Sequence, residues 1–326
     1  MLESTDPEPG LPARIAQELA RPASEATSAL VEAIRARHGA CVAAVLFYGS
    51  CLRRETDEGV HDFYVVVDSY RSAHARRWHA WSNALLPPNV YYLELPRPSG
   101  TVRTKYAVIS MGDFERCVQP HCIHPYIWAR FAQPVLLAYV RDPEARQRLV
   151  AALTEAVVTL VRQLSPFLPH MGRVQRFSLA ALWQEAFRRT YSAELRNESS
   201  ETIRSLYESA AVRYDGTGTE ALRLLEARGW LDRVSVRGYA VEIEMDPHRR
   251  TRTRLRWQLL RPLAKLLTLL RLLKTTMTFG DWLPYVLWKL ERHGGARIEP
   301  TDLQRRFPLI FGWPVFFRLI AKRSIR

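Results

Sequence analysis

Between Leu46 and Asp68 the chain reads Leu46-Phe47-Tyr48-Gly49-Ser50, then a polar turn over Cys51–His61, then Asp62-Phe63-Tyr64-Val65-Val66-Val67-Asp68. The runs Val42–Tyr48 and Phe63–Val67 are short, apolar and rich in β-formers, the pattern of strands buried on both faces. Two such strands need a sheet covered by other elements, so this segment constrains the fold more than any other. Gly49 lets the backbone pass close to a bound group. The Ser50 hydroxyl and the N–H groups after it can donate to phosphate oxygens, especially at a helix start. Asp62 at the mouth of a strand can hold Mg²⁺, which takes one or two carboxylates alongside phosphate oxygens. Side chains two apart on a strand share a face, which puts Asp62 and Tyr64 together.

The pattern around this segment predicts an α+β fold. Residues 1–11 read as a flexible leader. A helical pattern runs to about His38, interrupted at Pro22 and stopped by Gly39. Arg71–Leu86 reads as a helix, Val90–Leu95 and Val102–Ser110 as strands joined by a hairpin-like turn, and Val135–Val140 as a last strand. Met111–Arg116 and Tyr126–Phe131 read as short helices. From Asp142 the pattern turns helical: Leu149–Leu164, Ser178–Leu195, Thr202–Tyr214 and Thr219–Gly229, followed by a hairpin over Trp230–Glu244. These divisions give a mixed-sheet domain over 12–145, a helical, winged-helix-like domain over 146–246, and a basic region over 247–326.

Charge separates the last of these from the rest. Residues 249–326 carry 18 Lys/Arg against 4 Asp/Glu, whereas residues 1–248 balance at 29 of each. That asymmetry argues for an anionic partner at the C-terminal end. The four cysteines lack zinc spacing and read as reduced thiols, and the acidic, Pro-rich start has no secretory h-region. No run of about 18 uninterrupted apolar residues marks a spanning helix. The expected location is cytoplasmic. His61, His121 and His124 form no metal signature and are expected as solvated loop histidines.

Gly-Ser followed by an acid on the next strand is the pattern of the nucleotidyltransferase superfamily, whose second strand usually carries Asp-x-Asp. Tyr64 stands where the second acid would be. Glu94, on a neighbouring predicted strand, is the candidate to replace it. Five blocks carry a closer resemblance: Tyr48-Gly49-Ser50; Asp62–Asp68; Asn89-Val90-Tyr91-Tyr92; Thr104-Lys105-Tyr106-Ala107-Val108-Ile109-Ser110; and Tyr126–Val135. A weaker sixth is Thr190–Arg196. Over roughly residues 45–200 the chain resembles the mitochondrial-type phosphatidate cytidylyltransferases, the peripheral CDP-diacylglycerol synthases. The resemblance implies a nucleotidyltransferase-fold sheet and a Mg²⁺-dependent reaction of CTP with phosphatidic acid. The rival readings are an enzyme of the same fold acting on another acceptor, and a non-catalytic membrane- or nucleic-acid-binding relative.

Lys105 fits a triphosphate site on its own account. It is the only lysine in residues 1–248, against 28 arginines, and a compact ammonium suits a pyrophosphate leaving group. Candidate catalytic residues are therefore Asp62, Lys105, Glu94 and Glu194, with Asp62 and Glu94 as metal ligands. Candidate nucleotide-binding residues are Tyr48, Gly49, Ser50, Lys105 and Arg130. The bland alternatives are a strand-edge lysine for Lys105, a solvated helix face for Arg130, and a domain-packing ion pair for Glu194.

The C-terminal region combines leucine runs with basic residues. Leu255–Leu273 fits either an interfacial helix or a core helix. The tail residues Trp313, Phe316, Phe317, Arg318, Lys322 and Arg323 read as a contact to an anionic membrane surface, on its inner face. Aromatic residues embedded in apolar runs argue against a nucleic-acid groove.

Overall fold

The run Val42–Tyr48 is buried along almost its whole length because it forms the second strand from one edge of a sheet covered on both faces. The structure, a computed structural model, describes residues 10–98, 100–194 and 198–278. Helices α1 (Leu11–Glu18) and α2 (Glu25–His38) come first. The break at Pro22 is followed by Ser24, whose hydroxyl accepts from Thr27 N–H and caps α2. Strand β1 (Val42–Tyr48), a one-turn helix α3 (Ser50–Arg53) and β2 (Val60–Val67) follow. Then come α4 (Tyr70–Ala73), α5 (Arg77–Leu85), β3 (Asn89–Arg97), β4 (Gly100–Ser110), α6 (Met111–Cys117), α7 (Pro125–Phe131) and β5 (Leu136–Val140). The helix expected over Arg71–Leu86 is thus two pieces.

The five strands form a mixed sheet in the order β3-β4-β2-β1-β5, with helices flanking it. Only β2 and β4 run parallel; their register sets Asp62 opposite Lys105 and Tyr64 opposite Ala107. Alternation then sorts the side chains. Phe63, Val65, Val67, Tyr106 and Val108 enter the core under α2. Tyr64, Val66, Ala107 and Ile109 face the larger core on the other side.

That larger core runs on through the rest of the described chain, from Leu11 to Ala264. It includes α8 (Pro143–Leu164), α9 (Leu179–Ala193), α10 (Ser200–Glu208) and α11 (Ala211–Ala227). With its following turn, α8 is long and apolar enough to cross a bilayer, yet 78% of that window is buried in protein. A second, four-stranded antiparallel sheet in the order β6-β7-β9-β8 comprises β6 (His170–Met171), β7 (Val174–Ser178), β8 (Arg233–Arg237) and β9 (Ala240–Glu244). The hairpin expected over Trp230–Glu244 is its β8-β9 half; β6 and β7 have no counterpart among the expected strands.

Two expectations are corrected here. The helix break expected between Tyr214 and Thr219 falls instead at Ser209–Ala210, and Gly216 and Gly218 lie inside α11. Close packing explains them: a Cβ on Gly218 would stand 2.9 Å from Trp183 Nε1. His61 is not a solvated loop residue. It lies on β2, fully buried, stacked on Phe47 and hydrogen-bonded through Nε2 to Asp57. His124 does lie in a loop but is partly buried, with its Nδ1 enclosed.

The chain ends its described part in α12 (Pro247–Thr278), which continues through Pro262. Leu255–Leu273 is neither wholly core nor wholly exposed. Trp257, Leu260 and Ala264 are buried, while Leu255, Leu259, Leu266, Leu270 and Leu273 stand exposed, Leu259 to 77%. The tail residues from Trp313 to Arg323, and Leu195 and Arg196 of the sixth block, lie outside the described residues, as does the leader over residues 1–9.

Candidate active site

At the C-terminal end of β1 the chain turns sharply through Gly49, whose φ of +94° favours glycine. A Cβ there would lie 2.9 Å from Asp62 Oδ2. The absence of a side chain is therefore what lets Asp62 sit against the turn. The helix that follows is only the four residues Ser50–Arg53. It contributes little dipole, so the expected anion cradle rests on Ser50, Gly49 and nearby cations instead.

Asp62 opens onto a cavity of about 430 Å³. The register of β2 and β4 brings Lys105 alongside it, with Nζ 3.1 Å from Asp62 Oδ1. Tyr48, Gly49, Ser50, Tyr64, Arg130 and Glu194 line the same cavity. Arg130 is not on a solvated face. Its guanidinium lies 5.2 Å over the Tyr48 ring and bridges Tyr64 Oη and Glu194 Oε2, each at 3.4 Å. Burial works against its charge, but the surrounding Tyr48, Tyr64, Glu194 and Asp62 hold it firmly protonated. Burial likewise pushes the Tyr48, Tyr64 and Tyr126 hydroxyls up, so they remain neutral donors.

Glu94 does not join this group. It accepts from Tyr92 Oη at 2.6 Å, pairs with Arg103 at 3.0 Å, and is absent from the cavity lining. The reason is strand order: β4 stands between β3 and β2, so Glu94 is two strand spacings, about 10 Å, from the Asp62 strand. The second carboxylate of the cavity is Glu194, just past the end of α9, where it pairs with Arg130 at 3.4 Å. Among the described residues no three His, Cys, Asp or Glu side chains gather as a ready-made metal cage. Asp62 with Lys105 beside it fits Mg²⁺ delivered with phosphate oxygens and water, which is how that ion usually binds.

The helix α12 supplies a wall that sequence reasoning missed. Thr268, Arg271, Leu272 and Thr275 line the cavity. Arg271 lies 3.6 Å over the Tyr126 ring, and its Nη2 donates to Thr268 Oγ1 at 2.8 Å. Its Nη1 is buried with no hydrogen-bond partner. Lys274, one turn on, donates to the carbonyls of Leu86 and Pro88, the latter at 2.9 Å, and so pins the helix beside the cavity. Burial and then the Arg271 charge push its ammonium down to about 7. A separation of 209 residues hid this wall, since no local pattern links Arg271 to Asp62. Arg53, Gln133 and Tyr191 complete the missed set.

The lining holds four cations, Arg53, Lys105, Arg130 and Arg271, against two carboxylates, Asp62 and Glu194. A cavity with that excess carries a positive potential, which favours an anion. No protein-family model matches the chain, and no curated protein does.

Proposed function

We propose that the chain is a Mg²⁺-dependent cytidylyltransferase that joins CTP to phosphatidic acid, giving CDP-diacylglycerol and pyrophosphate at a membrane surface. On this reading the mixed sheet is a nucleotidyltransferase fold, and the second sheet with α8–α11 is a helical, winged-helix-like domain. The observation that carries it is the meeting of Gly49, Ser50, Asp62 and Lys105 in one cavity with an excess of cations.

The triphosphate lies along Gly49 and Ser50, with Lys105 against the leaving pyrophosphate. Asp62 would hold a Mg²⁺ ion brought with the nucleotide, which would neutralise charge on the phosphate oxygens. Arg271, whose Nη1 lacks a partner, and Arg130 hold the phosphate of the acceptor. A phosphate oxygen of the acceptor attacks the α-phosphorus, the bond to the β-phosphate oxygen breaks, and pyrophosphate departs with the electron pair. The phosphomonoester is already anionic, so no strong general base is needed; positioning and charge neutralisation do the chemistry. Leu272 lines the cavity beside Arg271, which gives an apolar edge where a lipid tail leaves the site. The choice of CTP and of a peripheral location on the inner membrane face rests on the sequence resemblance and the basic C-terminal region.

Purified protein with labelled CTP, Mg²⁺ and phosphatidic acid in mixed micelles tests the reading. Formation of a CDP-lipid, with ATP a poor substitute, supports it. Turnover of ATP onto another acceptor without any CDP-lipid overturns it.

A further inference from the structure

A second cleft, of about 500 Å³, opens between the C-terminal ends of α8 and α11 and the start of α12. Five arginines line it: Arg162, Arg228, Arg249, Arg252 and Arg256. Arg249, Arg252 and Arg256 recur at helical spacing on one face of α12. Arg228 pairs with Glu155 at 2.8 Å, and Arg249 is committed to the carbonyls of Gly229 and Trp230. Arg162, Arg252 and Arg256 form no ion pair with any carboxylate of the described residues. Arg162 is half-buried, 5.7 Å over the Trp230 ring. Burial, together with Arg256, Arg249 and Arg228, disfavours its charge, although Glu155 acts the other way. Like charges gathered around a half-buried guanidinium destabilise the empty cleft; an anion seated there relieves them.

The same helix says which anion. Beside the arginines, on the outer side of α12, Leu255, Leu259, Leu266, Leu270 and Leu273 form an exposed stripe. Their spacing keeps them on one side of the helix. A phosphate cleft continuous with a row of exposed leucines matches the chemistry of a phospholipid, headgroup in the cleft and acyl chains along the stripe. The cleft is also separate from the cavity described above: Arg256 and Thr268 are twelve residues apart on α12, roughly 18 Å. We propose that this cleft is a second, non-catalytic site for the headgroup of an anionic phospholipid. It holds the start of α12 on the bilayer while the other end of the helix walls the active site. The membrane surface is also part of the proposed function, but the cleft is a distinct claim that can fail alone.

The test uses full-length protein and Arg252→Gln/Arg256→Gln, with Arg176→Gln/Arg237→Gln on the second sheet as a control that removes the same charge. Thermal unfolding of both variants checks that the fold is kept. Flotation is measured with phosphatidylcholine vesicles, with and without phosphatidylglycerol, at fixed ionic strength. The expected result is at least tenfold weaker binding to the anionic vesicles for the α12 variant and less than a twofold change for the control. Turnover of a short-chain, water-soluble phosphatidic acid should be unchanged in both, which separates failure of this site from failure of the catalytic reading. Equal losses in both variants would mean diffuse charge attraction and overturn the proposal. So would competition by inorganic pyrophosphate at the same ionic strength, which would make the cleft a site for free phosphoanions. Retention of single-stranded RNA through the same arginines, without vesicle binding, would overturn it as well.

Discussion

Lys105 and Asp62 face each other across adjacent parallel strands, Nζ to Oδ1 at 3.1 Å. Neither is deeply buried, at 39% and 24% side-chain exposure. An exposed pair of this kind contributes little to stability. Its value lies in placing one positive and one negative group at the same register beside the Gly49 turn. Lys105→Ala and Asp62→Asn should each lower kcat/KM by about 10²-fold or more, as removal of a charge-stabilising group in an active site commonly does. Both should shift the unfolding midpoint in urea by little. Activity that survives either change would place the chemistry elsewhere.

Gly49 offers a sharper test of the same geometry. Ala at this position meets two obstacles, a φ of +94° and a Cβ 2.9 Å from Asp62 Oδ2. Gly49→Ala should cost roughly 1–3 kcal/mol of stability through the backbone strain. It should also displace the Asp62 carboxylate, so activity should fall further than the stability loss explains. Gly100 has a φ of +122° with nothing near its Cβ position. Gly100→Ala should therefore destabilise with activity per folded molecule intact, which separates strain from site geometry.

The strands around this pair were readable because burial on both faces leaves a continuous apolar run, as in Val42–Tyr48, and alternation assigns Asp62 and Tyr64 to one side. Lys105 stood out by its rarity. What sequence could not give was strand order. Glu94 sits at a plausible distance along the chain, but β4 lies between its strand and that of Asp62. Arg271 was hidden for a related reason: a leucine-rich helix looks the same whether it lies on a bilayer or walls a cavity, and α12 has one buried and one exposed side. The glycines of α11 misled because Gly-x-Gly is ordinarily a helix breaker, and the partner that accounts for Gly218, Trp183, is on another helix.

Those two glycines should respond oppositely to the same change. In a helix interior Gly→Ala normally stabilises by up to about 1 kcal/mol. At Gly216 the added Cβ meets only the end of the flexible Arg14 side chain, which can move. Gly216→Ala should be neutral or stabilising. At Gly218 it meets the indole of Trp183, which is fully buried and donates to Tyr214 O at 2.7 Å. Gly218→Ala should destabilise by roughly 1–3 kcal/mol through overpacking. Chemical denaturation of the two variants side by side reads the difference, and equal effects would mean that α9 and α11 do not pack this closely.

A buried histidine should make the protein acid-sensitive. Asn83 Oδ1 accepts from Asn89 N–H at 2.7 Å, which fixes its amide nitrogen as a donor. That nitrogen lies 3.0 Å from His74 Nε2, which must then accept, leaving Nδ1 to carry the proton toward Tyr91 Oη at 3.2 Å. Protonating Nε2 would set two donors against each other. Burial first, then the charges of His38, His79, Lys274 and Arg37, push His74 down to about 4. The unfolded chain, titrating near 6.5, binds this proton more readily than the folded one. Stability contributed by neutral His74 is therefore complete above about pH 6.5 and is lost as pH falls toward 4. The slope is at most about 1.4 kcal/mol per pH unit from this group. Burial pushes His124 down to about 4 as well, which adds to the same window. His74→Gln keeps an acceptor for Asn83 and removes the titration. Urea unfolding at pH 7 and pH 5 should show a smaller loss for this variant than for the parent. An identical loss would mean that His74 takes up its proton as readily in the fold as in the unfolded chain, against the hydrogen bonds that hold it.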